Sequence, residues 1–136
     1  MTLVDTGFLL ALVSPRDVLF PRAQAWAQAI TEPLIVTEYV LWETANALSL
    51  PPDRPKFHAL LARIRADENI EVIPASADLW AAGLHLHARR ADKEWSLTDC
   101  ISFVVMGQRR IARALSYDHH FEQAGFEVLL RRDPPP

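Results

Sequence analysis

Disulfide chemistry within the chain is excluded, because it contains a single cysteine, Cys100, and no Cys/His spacing resembles a zinc site. Cys100 reads as a small buried apolar residue rather than as a catalytic thiol. Lysine is scarce, with only Lys56 and Lys93 present. No apolar run approaches the ~18 residues of a membrane span, and no secretory apolar segment precedes Thr2-Leu3-Val4, so a cytoplasmic location is expected. No Ser/His pair sits at a recognisable nucleophile elbow, which sets acyl transfer aside. Strong positive charge is also missing: the formal net charge is −3, so composition provides no diffuse basic surface for nucleic acid. What the chain does have is 136 residues, 50% hydrophobic and 23% charged, enough for one domain with a core of its own. Residues 1–131 are expected to form that domain, and 132–136 a proline-rich tail. Cations gather locally at Arg89, Arg90 and Lys93 and at Arg109, Arg110 and Arg113. Each group reads either as a solvated helix end or as a path for a polyanion.

Short apolar runs alternate with helical periodicity. Thr2-Leu3-Val4 predicts a buried strand, with Asp5-Thr6-Gly7 as the turn that ends it. Phe20, Ala23, Ala27 and Ile30 lie at helical spacing, predicting a helix over about 18–31 that Pro33 stops. Leu34 to Thr37 reads as a second strand and Tyr39 to Leu48 as a helix, followed by a loop marked by Pro51, Pro52 and Pro55. Phe57, Leu60, Leu61 and Ile64 predict an amphipathic helix, Ile70 to Ile73 a third strand, and Leu79 to Ala88 another helix. Ser96-Leu97-Thr98-Asp99 matches a capping box at the start of a helix carrying Ile101, Val104 and Val105. Ala112 to Tyr117 predicts a fourth strand, His119 to Ala124 a short helix, and Glu127 to Leu130 a last strand. Trp26, Trp42, Trp80 and Trp95 read mainly as core residues, although Trp95 in its charged loop can also be read as a stacking surface for a base. The alternation implies an α/β fold, a parallel sheet with helices on both faces in three layers. Ligands of such sheets bind beyond the carboxyl ends of the strands.

Four acids belong near that edge: Asp5 after strand one, Glu43 on the helix after strand two, Asp99 at the head of a helix, and Asp118 after strand four. Taken singly, Asp5 and Asp118 can be turn formers, and Asp99 can simply complete the capping box. Glu43 is harder to explain that way. It lies among Tyr39, Val40, Leu41, Trp42, Ala45 and Ala47, and no Lys or Arg occurs between Arg22 and Arg54 to pair with it. A solvated edge position or a shared cation would each account for it. Carboxylates crowded together repel unless protonated or neutralised, and oxygen-only ligation favours Mg²⁺ or Mn²⁺ over zinc. Such a centre suits phosphodiester hydrolysis. His119 and His120 read as a solvated loop pair rather than as ligands, and His85 and His87 point in different directions along their helix.

Val4-Asp5-Thr6, Glu43-Thr44-Ala45-Asn46-Ala47-Leu48, Ser96-Leu97-Thr98-Asp99-Cys100-Ile101-Ser102-Phe103 and Leu115-Ser116-Tyr117-Asp118-His119-His120-Phe121 resemble, in order, the motifs of PIN-domain proteins. The resemblance runs from about Thr2 to Leu130 and is nearest to VapC-type toxins of toxin–antitoxin pairs. It implies a PIN-like fold and an Mg²⁺- or Mn²⁺-dependent endoribonuclease acting on RNA. It also implies a homodimer, restrained by a cognate antitoxin whose C-terminal segment occupies the active-site groove. By position, the resemblance makes Asp5, Glu43 and Asp99 the principal catalytic and metal-binding acids and Asp118 the fourth. Thr6 and Thr98 would support them by hydrogen bonding. Gly7 stands where many relatives carry a polar residue. The exposed face of the helices from Tyr39 to Ile64 is the expected dimer interface.

Rival readings are weaker. A phosphoacceptor receiver-like domain needs a lysine near the last strand, and neither Lys56 nor Lys93 lies there. A magnesium-dependent phosphatase needs a DxD after strand one, which Asp5-Thr6-Gly7 does not supply. A catalytically idle PIN-type scaffold that binds RNA or protein remains the alternative, although the acid set is complete.

Overall fold

The computed structural model describes residues 1–136. Five short strands, β1 (Thr2–Val4), β2 (Leu34–Thr37), β3 (Ile70–Ile73), β4 (Arg113–Leu115) and β5 (Glu127–Val128), form one sheet. Its order is β3-β2-β1-β4-β5 and every pairing is parallel. β1 is the central strand: Thr2 pairs with Leu34 on one side and with Arg113 on the other. The chain therefore builds outward from β1 to β3, then crosses back to place β4 against the free side of β1. The strand order reverses between β1 and β4, where connections diverge and leave a crevice beyond the carboxyl ends.

Period-2 alternation divides the strand residues between two cores. Leu3, Ile35, Ala114 and Val128 face one, with Trp95, Ile101, Phe103, Met106 and Phe121. Val4, Val36 and Leu115 face the other, with Phe8, Leu9, Trp26, Leu60 and Ile64. The first is covered by α5 (Ala77–Arg89), α6 (Leu97–Arg109) and α7 (His119–Gln123), and the second by α1 (Thr6–Val13), α2 (Phe20–Ala29) and α4 (Arg54–Ala66). The remaining helix, α3 (Glu38–Ala47), follows β2 and packs against both α1 and α6. Gly83 lets α5 and α6 approach closely, since a Cβ there would lie 2.4 Å from Ile101 Cγ1. Cys100 is fully buried, as its apolar character predicted. No helix is long and apolar enough to cross a membrane.

Several boundaries differ from the sequence reading. The expected turn at Asp5-Thr6-Gly7 is the start of α1, with Asp5 as its N-cap. The run Phe8-Leu9-Leu10-Ala11-Leu12-Val13 is apolar on every side, so it shows no 3.6-residue period although it is helical. Pro21 and Pro55 lie in the first turns of α2 and α4, where a missing N–H costs no helical bond. The last strand is two residues long and passes into a 3-10 turn, Leu129–Arg131. The segment beyond it is held down: Trp26 Nε1 donates to Arg132 O at 2.8 Å, and Arg22 Nε pairs with Asp133 at 3.0 Å. Trp26 and Trp95 are core residues, but Trp42 and Trp80 are 66% and 49% exposed. Trp95 is buried, with the Arg90 guanidinium over its ring and Phe103 against it, which leaves no face for a base.

Candidate active site

The crevice between β1 and β4 is a cleft of about 480 Å³ lined by Asp5, Thr6, Gly7, Glu43, Glu94, Ser96, Asp99, Tyr117, Asp118 and His120. All four acids singled out in the sequence reach it. Three do so by capping helices. Asp5 caps α1, with Oδ1 accepting from the Thr6 backbone N–H at 2.8 Å. Asp99 forms a reciprocal capping box with Ser96 at the head of α6: its Oδ2 accepts from Ser96 N–H, and its own N–H donates to Ser96 Oγ. Asp118 caps α7, with Oδ1 accepting from His120 N–H at 2.9 Å. The turn-forming and capping roles thus hold together with the convergence of charge, and the positive ends of the helices face the acids they carry. Glu43 differs: it comes from within α3, is half-buried, and has no hydrogen-bond partner.

The Asp5 carboxyl is the most constrained. Its other oxygen, Oδ2, accepts from Ser116 Oγ at 2.8 Å, and that hydroxyl also accepts from Asp118 N–H at 3.0 Å. Ser116, fully buried at the end of β4, therefore ties two acids together. Burial pushes the Asp5 pKa up to about 7, against the Ser116 hydrogen bond that lowers it; the charges of Asp99 and Asp118 add to the rise. Asp99 is raised as well, by burial and then by Asp118. Such a cluster stores repulsion that a cation relieves.

Thr6 contributes its backbone N–H, while its buried Oγ1 has no partner. A buried hydroxyl without a partner costs roughly 1–3 kcal/mol, and Thr6 is one of the residues lining the acid cleft. Carboxylate oxygens converging on one cleft fit a hard divalent cation such as Mg²⁺ or Mn²⁺. Thr98 lies instead on a neighbouring cleft of about 660 Å³, with Tyr39, Trp42, Trp80, Leu97 and Ile101. Glu43 lines both clefts.

Glu94, Tyr117 and His120 in the crevice, and Ser116 buried behind it, are site residues that sequence patterning does not single out. His120 is not solvated as expected: its side chain is 17% exposed, and Nδ1 lies 3.3 Å from both Asp99 Oδ2 and Asp118 Oδ1. Its position next to the N-cap of a short helix was the available clue. His119, the first residue of α7, is 60% exposed, with Nδ1 3.5 Å from Asp118 Oδ1.

The basic groups are mostly committed elsewhere. Arg109 pairs with Glu71, Arg113 with Glu32, and Arg90 with Asp92. Arg109 ends α6, whose first turn carries Asp99, so roughly 15 Å of helix separates it from the cleft. Closer to the acids, Arg131 stacks over the ring of Tyr117 at 4.2 Å while pairing with Glu122 at 3.6 Å, and Tyr117 lines the cleft.

Comparison with known proteins agrees with this fold. The chain is 31% identical over 128 residues to the 23S rRNA-specific endonuclease VapC20 from two strains of Mycobacterium tuberculosis, covering 93% of this chain and 95% of that protein. The crystal structure of Mycobacterium tuberculosis VapC20, a sarcin-ricin loop cleaving toxin, matches with a TM-score of 0.84 at 28% identity, over 93% of this chain and 96% of that one. FitAcB from Neisseria gonorrhoeae shares the fold, with a TM-score of 0.68 at 18% identity, over 95% of this chain and 96% of that one. The PIN-domain model matches residues 2–127, from the central strand to the last, and on that match the chain belongs to the PIN-domain family.

Proposed function

We propose that this protein is a divalent-metal-dependent endoribonuclease, the toxin of a toxin–antitoxin pair, acting in the cytoplasm. The observation that carries the reading is the convergence of Asp5, Glu43, Asp99 and Asp118 on one cleft at the switch in strand order. A bound Mg²⁺ or Mn²⁺ would supply a Lewis acid for a phosphoryl oxygen and lower the pKa of a water. The chain supplies the rest. Ser116 and the Thr6 N–H fix Asp5, and Ser96 fixes Asp99, so these carboxylates meet the cation with little reorganisation. Glu43, free of hydrogen bonds, is the carboxylate able to take a proton from water attacking the phosphorus. Tyr117 and Arg131 offer an aromatic face and a cation at the lip of the cleft for the RNA strand. The cleft beside it, bearing exposed Trp42 and Trp80, is apolar enough to take protein. We assign it to the homodimer contact, which moves that contact from α3 and α4 towards α3 and α5. The antitoxin would then restrain the enzyme by covering the acid cleft.

Similarity to a 23S rRNA-specific endonuclease makes 23S rRNA the first substrate to try. Purified protein should produce discrete fragments from it when Mn²⁺ or Mg²⁺ is added and none with chelator. Asp5→Asn should abolish cutting. Fragments that form equally in chelator, or in the Asn variant, would refute the metal-carboxylate reading. Tight RNA binding without cleavage under every metal would favour the idle scaffold.

A further inference from the structure

His120 is the one nitrogen donor inside a cleft otherwise built from oxygen. It follows the N-cap of α7 by two residues and is 17% exposed, whereas the neighbouring His119 is 60% exposed with Nδ1 3.5 Å from Asp118. Its Nδ1 stands 3.3 Å from an oxygen of Asp99 and 3.3 Å from an oxygen of Asp118, two acids that come from different helices. Neighbouring donors around a small six-coordinate cation lie about 3 Å apart. The two contacts bring one nitrogen within reach of a carboxylate from each helix, and Asp118 and His120 offer ligand atoms within 4.8 Å of one another. Thr6, 7% exposed, lines the same cleft, and its Oγ1 is buried without a partner.

We propose that His120 Nδ1 is a ligand of the divalent cation and that this nitrogen biases the site toward Mn²⁺ over Mg²⁺. The inference rests on the metal-dependent reading above. Mg²⁺ prefers oxygen and gives up its waters reluctantly, whereas imidazole suits the transition metals that follow Mn²⁺ in affinity order and is tolerated by Mn²⁺ itself. One imidazole among carboxylates thus widens the difference between the two ions beyond what an all-oxygen site gives. His120 also orders Asp118 through its backbone N–H, a contact independent of the ring. Replacing the ring therefore leaves the cap in place.

The test uses the full chain loaded with Mn²⁺, with pulsed electron paramagnetic resonance as the readout. Histidine labelled with ¹⁵N identifies the source of any nitrogen coupling. Calorimetric titration with Mn²⁺ and with Mg²⁺ gives the affinity ratio. We expect nitrogen coupling in the wild type that changes with the label, survives His119→Asn and disappears in His120→Asn. The Mn²⁺ affinity of His120→Asn should fall about tenfold or more, with Mg²⁺ affinity nearly unchanged. His120→Gln serves if the Asn variant fails to fold. Mn²⁺ bound without nitrogen coupling would overturn the ligand assignment, leaving His120 to position Asp99 and Asp118. So would a coupling that vanishes with His119. Failure of the wild type to bind Mn²⁺ at all would remove the metal reading and the ligand assignment together.

Discussion

In metal-free protein, removing the charge of Asp5 should stabilise the fold at alkaline pH and weaken it at acid pH. The side chain is buried, and its pKa rises from 3.8 to about 7, chiefly through desolvation. Between those values the folded state holds a proton that the unfolded state has released. Its contribution to stability is therefore complete below about pH 4 and is lost as pH rises through about 7. A rise of about three units corresponds to about 4 kcal/mol at pH 8, taken as a ceiling. Asp5→Asn escapes this loss but disrupts the bond from Ser116, a cost of about 1 kcal/mol. The variant should consequently be less stable than wild type by about 1 kcal/mol near pH 4 and more stable by about 2–3 kcal/mol at pH 8. Urea unfolding of both proteins in chelator, followed by far-ultraviolet circular dichroism across this range, reads the difference directly. Subtracting the two curves removes groups that titrate alike in both. Added Mn²⁺ should then restore the wild type at pH 8 and leave the variant unmoved. A difference that stays constant with pH, or wild-type stability that does not decline toward pH 8, would refute the reasoning.

Ser116→Ala should lower metal affinity by roughly 10–100-fold, measured by calorimetry, because it releases Asp5 and the Asp118 backbone together. Gly83→Ala should cost roughly 1–3 kcal/mol in thermal or urea unfolding, since its methyl would meet Ile101 at 2.4 Å and force α5 from α6. An unchanged melting temperature would show that Ile101 can swing aside. Arg131→Ala should weaken RNA binding and reduce its salt slope by about one, with catalysis at saturating RNA little altered. Trp42→Ser should hardly change the stability of the monomer, since the ring is 66% exposed. Sedimentation velocity should nevertheless show loss of the dimer; a monomeric wild type would remove that assignment.

Sequence patterning reached most of the sheet because a strand buried on both faces leaves a short, continuous apolar run between turn residues, as in Leu34-Ile35-Val36. It failed at α1 for the opposite reason: complete burial erases the periodicity by which a helix is recognised. Trp42 and Trp80 were assigned to the core on residue type and helical spacing, neither of which distinguishes a core-facing stripe from one that awaits another molecule. For the acids, chain order along alternating strands and helices was enough, because topology alone carries Asp5 and Asp118 to adjacent strand ends. The partners of those acids were another matter. Ser116 meets Asp5 across 111 residues of sequence, and His120 meets Asp99 across 21. No local pattern encodes which hydroxyl or imidazole fills the space left between two carboxylates.

The central place of β1 also fixes when the cleft can exist. Its second neighbour, β4, arrives only at Arg113, and Ser116 and Asp118 only after that. During translation, the first acid therefore emerges long before the residues that hold and complete its constellation. A nascent chain, or one truncated before Leu115, carries Asp5, Glu43 and Asp99 without the strand that gathers them. Strand order alone thus delays assembly of the cleft until β4 and the residues that follow it have left the ribosome.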